Sequence, residues 1–294
     1  MKTKGFTLVE LLVVIAIIAL LMGILMPALA KVRQIAHRMV CGSNLSGIGK
    51  AMLIYANDYE DELPRAGGRN TLWGGPVTYD AADRFRAYGL AANGTGGKAT
   101  ITSSFYLLVK YAEVTPKSFI CKGDSGTTEF KLSEYNRGDL EFIDCWDFGP
   151  YVNAQDNPRK HCSYTYHMPY GLYALTTSSE PGMAVAADRN PFIEYSALSA
   201  TEAQTRYTQF NPLGATDYQK RGNSLSHQED GQNVLFMDSH VFFEKRPFCA
   251  INDDNVYTFW DGGDIRRGGM PVPGSTEPKD RKDSFLVHDG ASGR

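Results

Sequence analysis

The chain lacks a Cys-x-x-Cys pair, a His-Glu-x-x-His pair and a Gly-x-Ser-x-Gly elbow. These absences remove support for a thioredoxin-like redox site or zinc ribbon, for a zincin protease and for an α/β-hydrolase. An excess of positive charge is missing too. Thirty Lys and Arg face 33 Asp and Glu, a formal charge of −3, whereas proteins that grip nucleic acid over their whole surface are strongly basic. No nucleic-acid partner is expected. With 43% hydrophobic residues in 294, the chain is too apolar to be wholly disordered and should bury a core. The charge is uneven, +4 before Tyr59 and −7 from there on, so the two parts differ chemically.

Long apolar runs are also scarce, and the one present dominates the reading. Residues 6–26, FTLVELLVVIAIIALLMGILM, carry a single charge, Glu10. At ~1.5 Å rise per residue this helix spans the ~30 Å hydrocarbon core of a bilayer. Lys2 and Lys4 before it favour a cytoplasmic N-terminus, which puts the remainder on the outer side of an inner membrane, in the periplasm or outside the cell. A secretory signal cut after Ala30 is the alternative, because Ala28-Leu29-Ala30 has the small-x-small form. Against it, the run is longer than an ordinary h-region and contains a carboxylate. Apolar residues then continue at Leu29, Val32, Ile35, Met39, Leu45, Ile48, Met52, Tyr55 and Tyr59, mostly three or four apart, so residues 27–59 are predicted to extend the helix as an amphipathic segment. Pro27 should bend or locally melt it, and Gly42, Gly47 and Gly49 each weaken it by about 1 kcal/mol. Packing partners are therefore needed.

Glu10 is costly in a membrane anchor, since a charged side chain inside the bilayer marks a functional site by default. No Lys, Arg or His lies between Phe6 and Ala30 to pair with it, so an intermolecular cation is expected. The segment Lys4-Gly5-Phe6-Thr7-Leu8-Val9-Glu10 with the apolar run behind it resembles the processing signal of type IV pilins and type II secretion pseudopilins. The resemblance implies cleavage by a prepilin peptidase after Gly5 and methylation of Phe6. It further implies pairing of Glu10 with a neighbouring subunit's terminal amine and a kink or melted stretch at Pro27. The implied fold is α+β and pilin-like, a long N-terminal helix on a small antiparallel sheet with long irregular insertions.

The rest of the chain is similar to large pilin-like proteins whose C-terminal motif runs His, nine residues, Asp-Gly. Here ten residues separate His227 from Asp238, and Ser239 replaces the glycine. Cys41-Gly42-Ser43-Asn44, Phe119-Ile120-Cys121-Lys122-Gly123-Asp124, Ser163-Tyr164-Thr165-Tyr166 and Asp254-Asn255-Val256-Tyr257 resemble words of the same group.

Five divisions follow: a leader over residues 1–5, a membrane and assembly helix over 6–26, its amphipathic continuation over 27–59, a globular domain over 60–264, and an extended or partly disordered tail over 265–294. Residues 60–100 read as a long loop region with one short helix, and Lys98 lacks the glycine cradle of a phosphate loop. A helix capped by Ser103 or Ser104 should run to Tyr111. Strands are predicted over residues 119–121, 163–168, 183–187, 233–237 and 240–244, the last two joined by a two-residue turn at Asp238-Ser239.

Cys41, Cys121, Cys145, Cys162 and Cys249 permit up to two disulfides, with the pairing open, or buried thiols. His227, Asp238 and His240, with Asp188, offer a carboxylate-histidine metal cluster, although hairpin ends place such residues for turn chemistry as well. Asp253, Asp254, Asp261 and Asp264, beside Gly262 and Gly263, supply hard oxygen ligands for calcium; some pseudopilins bind calcium in a C-terminal loop. Nothing demands catalysis. The expected function is a structural subunit working with other pilin or pseudopilin subunits, a prepilin peptidase and an inner-membrane assembly platform. The rivals are a membrane-tethered periplasmic enzyme or ligand-binding domain and a conventional secreted protein.

Overall fold

The computed structural model describes residues 7–153, 156–195 and 197–290. Helix α1, Leu8–Asp58, is a single 51-residue element begun by Thr7 as N-cap. It stays helical through Pro27, so of the bend or local melting expected there the melting does not occur. The cost of that proline falls on the carbonyl four residues back, at Gly23, in the exposed half of the helix, where nothing among the described residues lies within 4 Å of a Cβ built on Gly23. The second half buries one face, with Cys41, Leu45, Ile48, Met52, Tyr55 and Ala56 at successive turns.

That face lies on a five-stranded antiparallel sheet. Strands β1 (Leu72–Trp73) and β2 (Lys98–Ala99) form a separate parallel pair. The main sheet comprises β3 (Tyr164–His167), β4 (Ala184–Asp188), β5 (Gln232–Phe236), β6 (Val241–Glu244) and β7 (Leu286–Val287) in the order β6-β5-β4-β3-β7. Helix α1 crosses β5 and β6 so closely that a Cβ on Gly49 would stand 2.8 Å from Leu235 Cδ1. The glycine that weakens the helix is what admits the sheet. Helix α2 (Arg84–Tyr88) sits between β1 and β2 in sequence, and helix α3 (Ile101–Tyr111) packs against α1 and β3. Phe105, Tyr106, Phe119, Phe130 and Phe148 fill the adjoining core as a chain of tilted and edge-to-face rings.

Several expectations need correction. Residues 119–121 are not a strand: Pro116 opens a 3-10 turn, Pro116–Phe119, which drops Phe119 into the core. Helix α3 starts earlier than expected because Thr100, not a serine, caps it by accepting from Ser103 N at 3.0 Å. Phe236 N donates to His240 O at 3.0 Å, so the hairpin between β5 and β6 closes on a three-residue loop, Met237, Asp238 and Ser239. Ser239 N donates to Phe236 O at 2.9 Å, and only Ser239 takes positive φ, at 72°. A three-residue loop closed by one left-handed residue avoids the two positive φ angles that a two-residue type I′ turn would demand. Helices α4 (Ala200–Gln209) and α5 (Thr216–Lys220) were not anticipated.

The largest correction concerns the expected tail. Phe285, Leu286 and Val287 are fully buried, and β7 completes the sheet beside β3. Beyond it, Asp289 accepts from Trp73 Nε1 at 3.0 Å and from Ile101 N and Thr102 N at 2.9 Å, neutralising orphan donors at the start of α3. A short apolar triplet inside a charged, Pro- and Gly-rich stretch is overlooked by composition yet anchors the end of the described chain.

Candidate functional site

Three of the four family-like words scattered along the sequence meet at the seam between α1 and the sheet, and the fourth reaches the same strand end through Tyr257. Cys41 on α1 is bonded to Cys121 across 80 residues, with Cα atoms 5.4 Å apart. One turn on, Asn44 Nδ2 donates to Ile120 O at 3.2 Å and to the Tyr164 hydroxyl at 3.3 Å. Ser163 N donates to Phe119 O at 2.8 Å, and the Tyr257 hydroxyl donates to Asp188 O at 2.9 Å. Gly123 is required by close approach: a Cβ there would fall 2.1 Å from Ser226 O, on the 3-10 turn Leu225–His227. That approach brings His227 to the disulfide.

The result is a buried group. His227 Nε2 lies 3.2 Å from Asp188 Oδ2, 3.7 Å from Cys121 Sγ and 3.3 Å from Asn233 Nδ2. Asp188 Oδ2 also accepts from Asn233 N at 2.6 Å, whereas Asp188 Oδ1 is buried without a hydrogen-bond partner. One ligand atom from each of Cys41, Cys121, Asp188 and His227 lies within 4.8 Å of every other. A Cys-His-Asp nucleophile relay is excluded by the geometry, because it needs the two imidazole nitrogens to face opposite partners and here Nε2 faces both. Next to the group, Arg189 is completely buried, with Nε donating to Asp124 Oδ2 at 2.7 Å and Nη2 to the Arg159 and Cys162 carbonyls. Burial opposes its charge, but Asp124 outweighs that and holds the guanidinium pKa above its ordinary value.

At the other end of α1, Thr7 and Glu10 cap the helix reciprocally. Glu10 Oε2 accepts from Thr7 N at 2.9 Å and Thr7 Oγ1 at 2.7 Å, and Glu10 N donates to Thr7 Oγ1 at 3.3 Å. These neutral donors were not expected beside Glu10, although Thr-x-x-Glu ahead of an apolar run is the sequence mark of a capping box. From Leu8 to Met26 the apolar side chains are all exposed, and among the described residues α1 is the one helix long and apolar enough to cross a membrane.

Residues 1–26 match the family model described as the prokaryotic N-terminal methylation motif. No curated protein and no solved structure matches the chain. The chain therefore carries a prepilin-type signal on an α+β, pilin-like architecture. Gly5 and Phe6, the expected processing residues, lie outside the described residues.

The expected metal constellations are rearranged. His227 and Asp188 come together, but Asp238 and His240 form their own exposed pair at the hairpin turn, with the His240 ring stacked on Phe236 at 4.5 Å. Among the described residues, no three of the four aspartates expected to hold calcium form a ligand group. Asp253 is exposed at positive φ, and Asp261 Oδ1 accepts from Gly263 N. Asp264 grips Arg266 with both oxygens. Asp254 accepts from Ser284 N at 2.6 Å, and burial together with Asp283 pushes its pKa up to about 9. A further buried carboxylate, Asp147, accepts from Thr100 Oγ1 at 2.6 Å, and burial pushes it up to about 7.

Proposed function

We propose that the chain is a prepilin-type structural subunit. Residues 6–26 insert in the inner membrane, a prepilin peptidase cuts after Gly5 and methylates Phe6, and an inner-membrane platform assembles the product with other pilin-like subunits into a pilus or type II secretion pseudopilus. The domain from residue 60 then stands in the periplasm or outside the cell. The observation that carries this reading is the division of α1: its second half is embedded in the domain, while its first half exposes an apolar surface on every side and carries the methylation motif. Lipid covers that surface in the free subunit, and other copies cover it in a filament.

Glu10 supplies the assembly chemistry. In the free chain the Thr7 donors satisfy it without a countercharge. Cleavage after Gly5 creates an α-ammonium at Phe6, four residues from Glu10, and a small axial stagger between neighbouring helices lets one subunit's carboxylate meet the next subunit's ammonium. A pair at ~4 Å contributes about 4 kcal/mol at an effective dielectric of 20, enough to offset burying the carboxylate. N-terminal sequencing of the mature protein from its own host tests the reading. Methylated Phe6 is the expected result; an intact Met1 would favour a tethered domain and Lys31 a secreted protein, and either would overturn it.

A further inference from the structure

We propose that Cys41, Cys121, Asp188 and His227 form a transition-metal site that is closed while the disulfide is intact and opens when it is reduced, with zinc or a cation of similar softness as ligand. Two thiolates, an imidazole and a carboxylate are the donor set that zinc accepts in tetrahedral sites and that calcium and magnesium avoid. The four donors already lie within 4.8 Å of one another and are buried. His227 Nε2 points at both Asp188 and Cys121, so no rotation of the ring is needed to aim it at an ion between them.

The second observation is Asp188 itself. Asn233 holds Oδ2 through its backbone and side-chain nitrogens, which leaves Oδ1 buried and without a partner, an arrangement that costs free energy unless something binds there. An ion beside His227 would meet this carboxylate, whose Oδ2 lies 3.2 Å from Nε2 and whose Oδ1 has coordination capacity to spare, with Asn233 orienting it. The ligands come from four places: α1, the segment after Pro116–Phe119, the end of β4, and the turn Leu225–His227. Disulfide and metal are therefore alternative staples of α1 to the domain, and a reduced chain stays tied.

The step balances simply. A dithiol reductant passes two electrons to the Cys41–Cys121 bond and becomes a disulfide, its two protons going to the freed sulfurs. The divalent ion then displaces both protons. A phosphine serves in the laboratory, taking an oxygen from water as it is oxidised.

Full-length protein in detergent, reduced with a phosphine under inert gas, desalted and titrated with Co2+, provides the test. The expected result is about one equivalent bound, with a thiolate-to-cobalt charge-transfer band that Zn2+ abolishes and that oxidised protein never shows. Asp188→Asn and His227→Gln should each weaken cobalt binding at least about tenfold. A reduced wild-type chain without the band overturns the proposal, as does an undiminished band in the Cys41→Ser/Cys121→Ser variant. Should either variant misfold, alkylation of wild-type protein decides: bound zinc must shield Cys41 and Cys121, and shielding confined to Cys145, Cys162 or Cys249 overturns the proposal.

Discussion

Removing the Cys41–Cys121 bond should cost this protein a large share of the roughly 5 to 15 kcal/mol that stabilises an ordinary domain. The bond closes a loop of 80 residues, and the chain-entropy relation for that length gives about 4.5 kcal/mol at 25 °C. Its position adds consequence. Cys41 opens the buried face of α1 and Cys121 follows the turn that seats Phe119, so the bond joins α1 to the core directly. In Cys41→Ala/Cys121→Ala both sulfurs leave together, so neither half of the broken pair is left to mispair with Cys145, Cys162 or Cys249. Denaturant unfolding in detergent can be followed through Trp73, Trp146 and Trp260, all in the globular part. The variant should lose about 4 to 5 kcal/mol relative to oxidised wild type, and zinc should not restore it. A loss below about 1 kcal/mol would refute the reasoning, because the denatured chain would then gain no freedom from an 80-residue loop.

Three other outcomes follow from the same geometry. Glu10→Ala should keep membrane insertion but sharply reduce cross-links between co-expressed subunits, since a neighbour's ammonium would be buried without an anion; cross-linking at the wild-type level would remove Glu10 from assembly. Asp147 keeps its proton up to about pH 7 in the folded chain and loses it near the usual carboxylate value when unfolded, so between those limits the native state binds the extra proton and this residue's contribution to stability falls as pH rises. Asp147→Asn should thus match wild type near pH 4 and exceed it by about 1 to 3 kcal/mol at pH 8, measured as paired melts, which cancel the opposing slope from buried His161, His167 and His288. Asp124→Asn should destabilise by about 3 to 5 kcal/mol by leaving buried Arg189 without its anion, whereas Asp230→Asn, which breaks the more exposed pair with Arg38, should cost less than about 1 kcal/mol in the same denaturant assay.

Local order was legible from residue order alone. The membrane-length run, its amphipathic continuation to Tyr59 and four strands, those observed as Tyr164–His167, Ala184–Asp188, Gln232–Phe236 and Val241–Glu244, depend on hydropathy and on periods of 3.6 and 2, which neighbouring residues express by themselves. The prepilin-type signal is equally local, a contiguous segment that the methylation-motif match covers in full. What tertiary structure decided has partners far apart in the chain. Which of five cysteines pair depends on α1 lying across the sheet, and Gly49 and Gly123 matter as close approaches that no window of sequence reveals. His227 reaches Asp188 rather than Asp238 because the 3-10 turn folds it inward, while the left-handed Ser239 leaves Asp238 and His240 in solvent. The final apolar triplet, diluted among polar neighbours, becomes a strand because β3 leaves an edge to be paired and Asp289 meets the open start of α3. A carboxylate acquires its role from the donors it meets, and folding alone brings those donors to it.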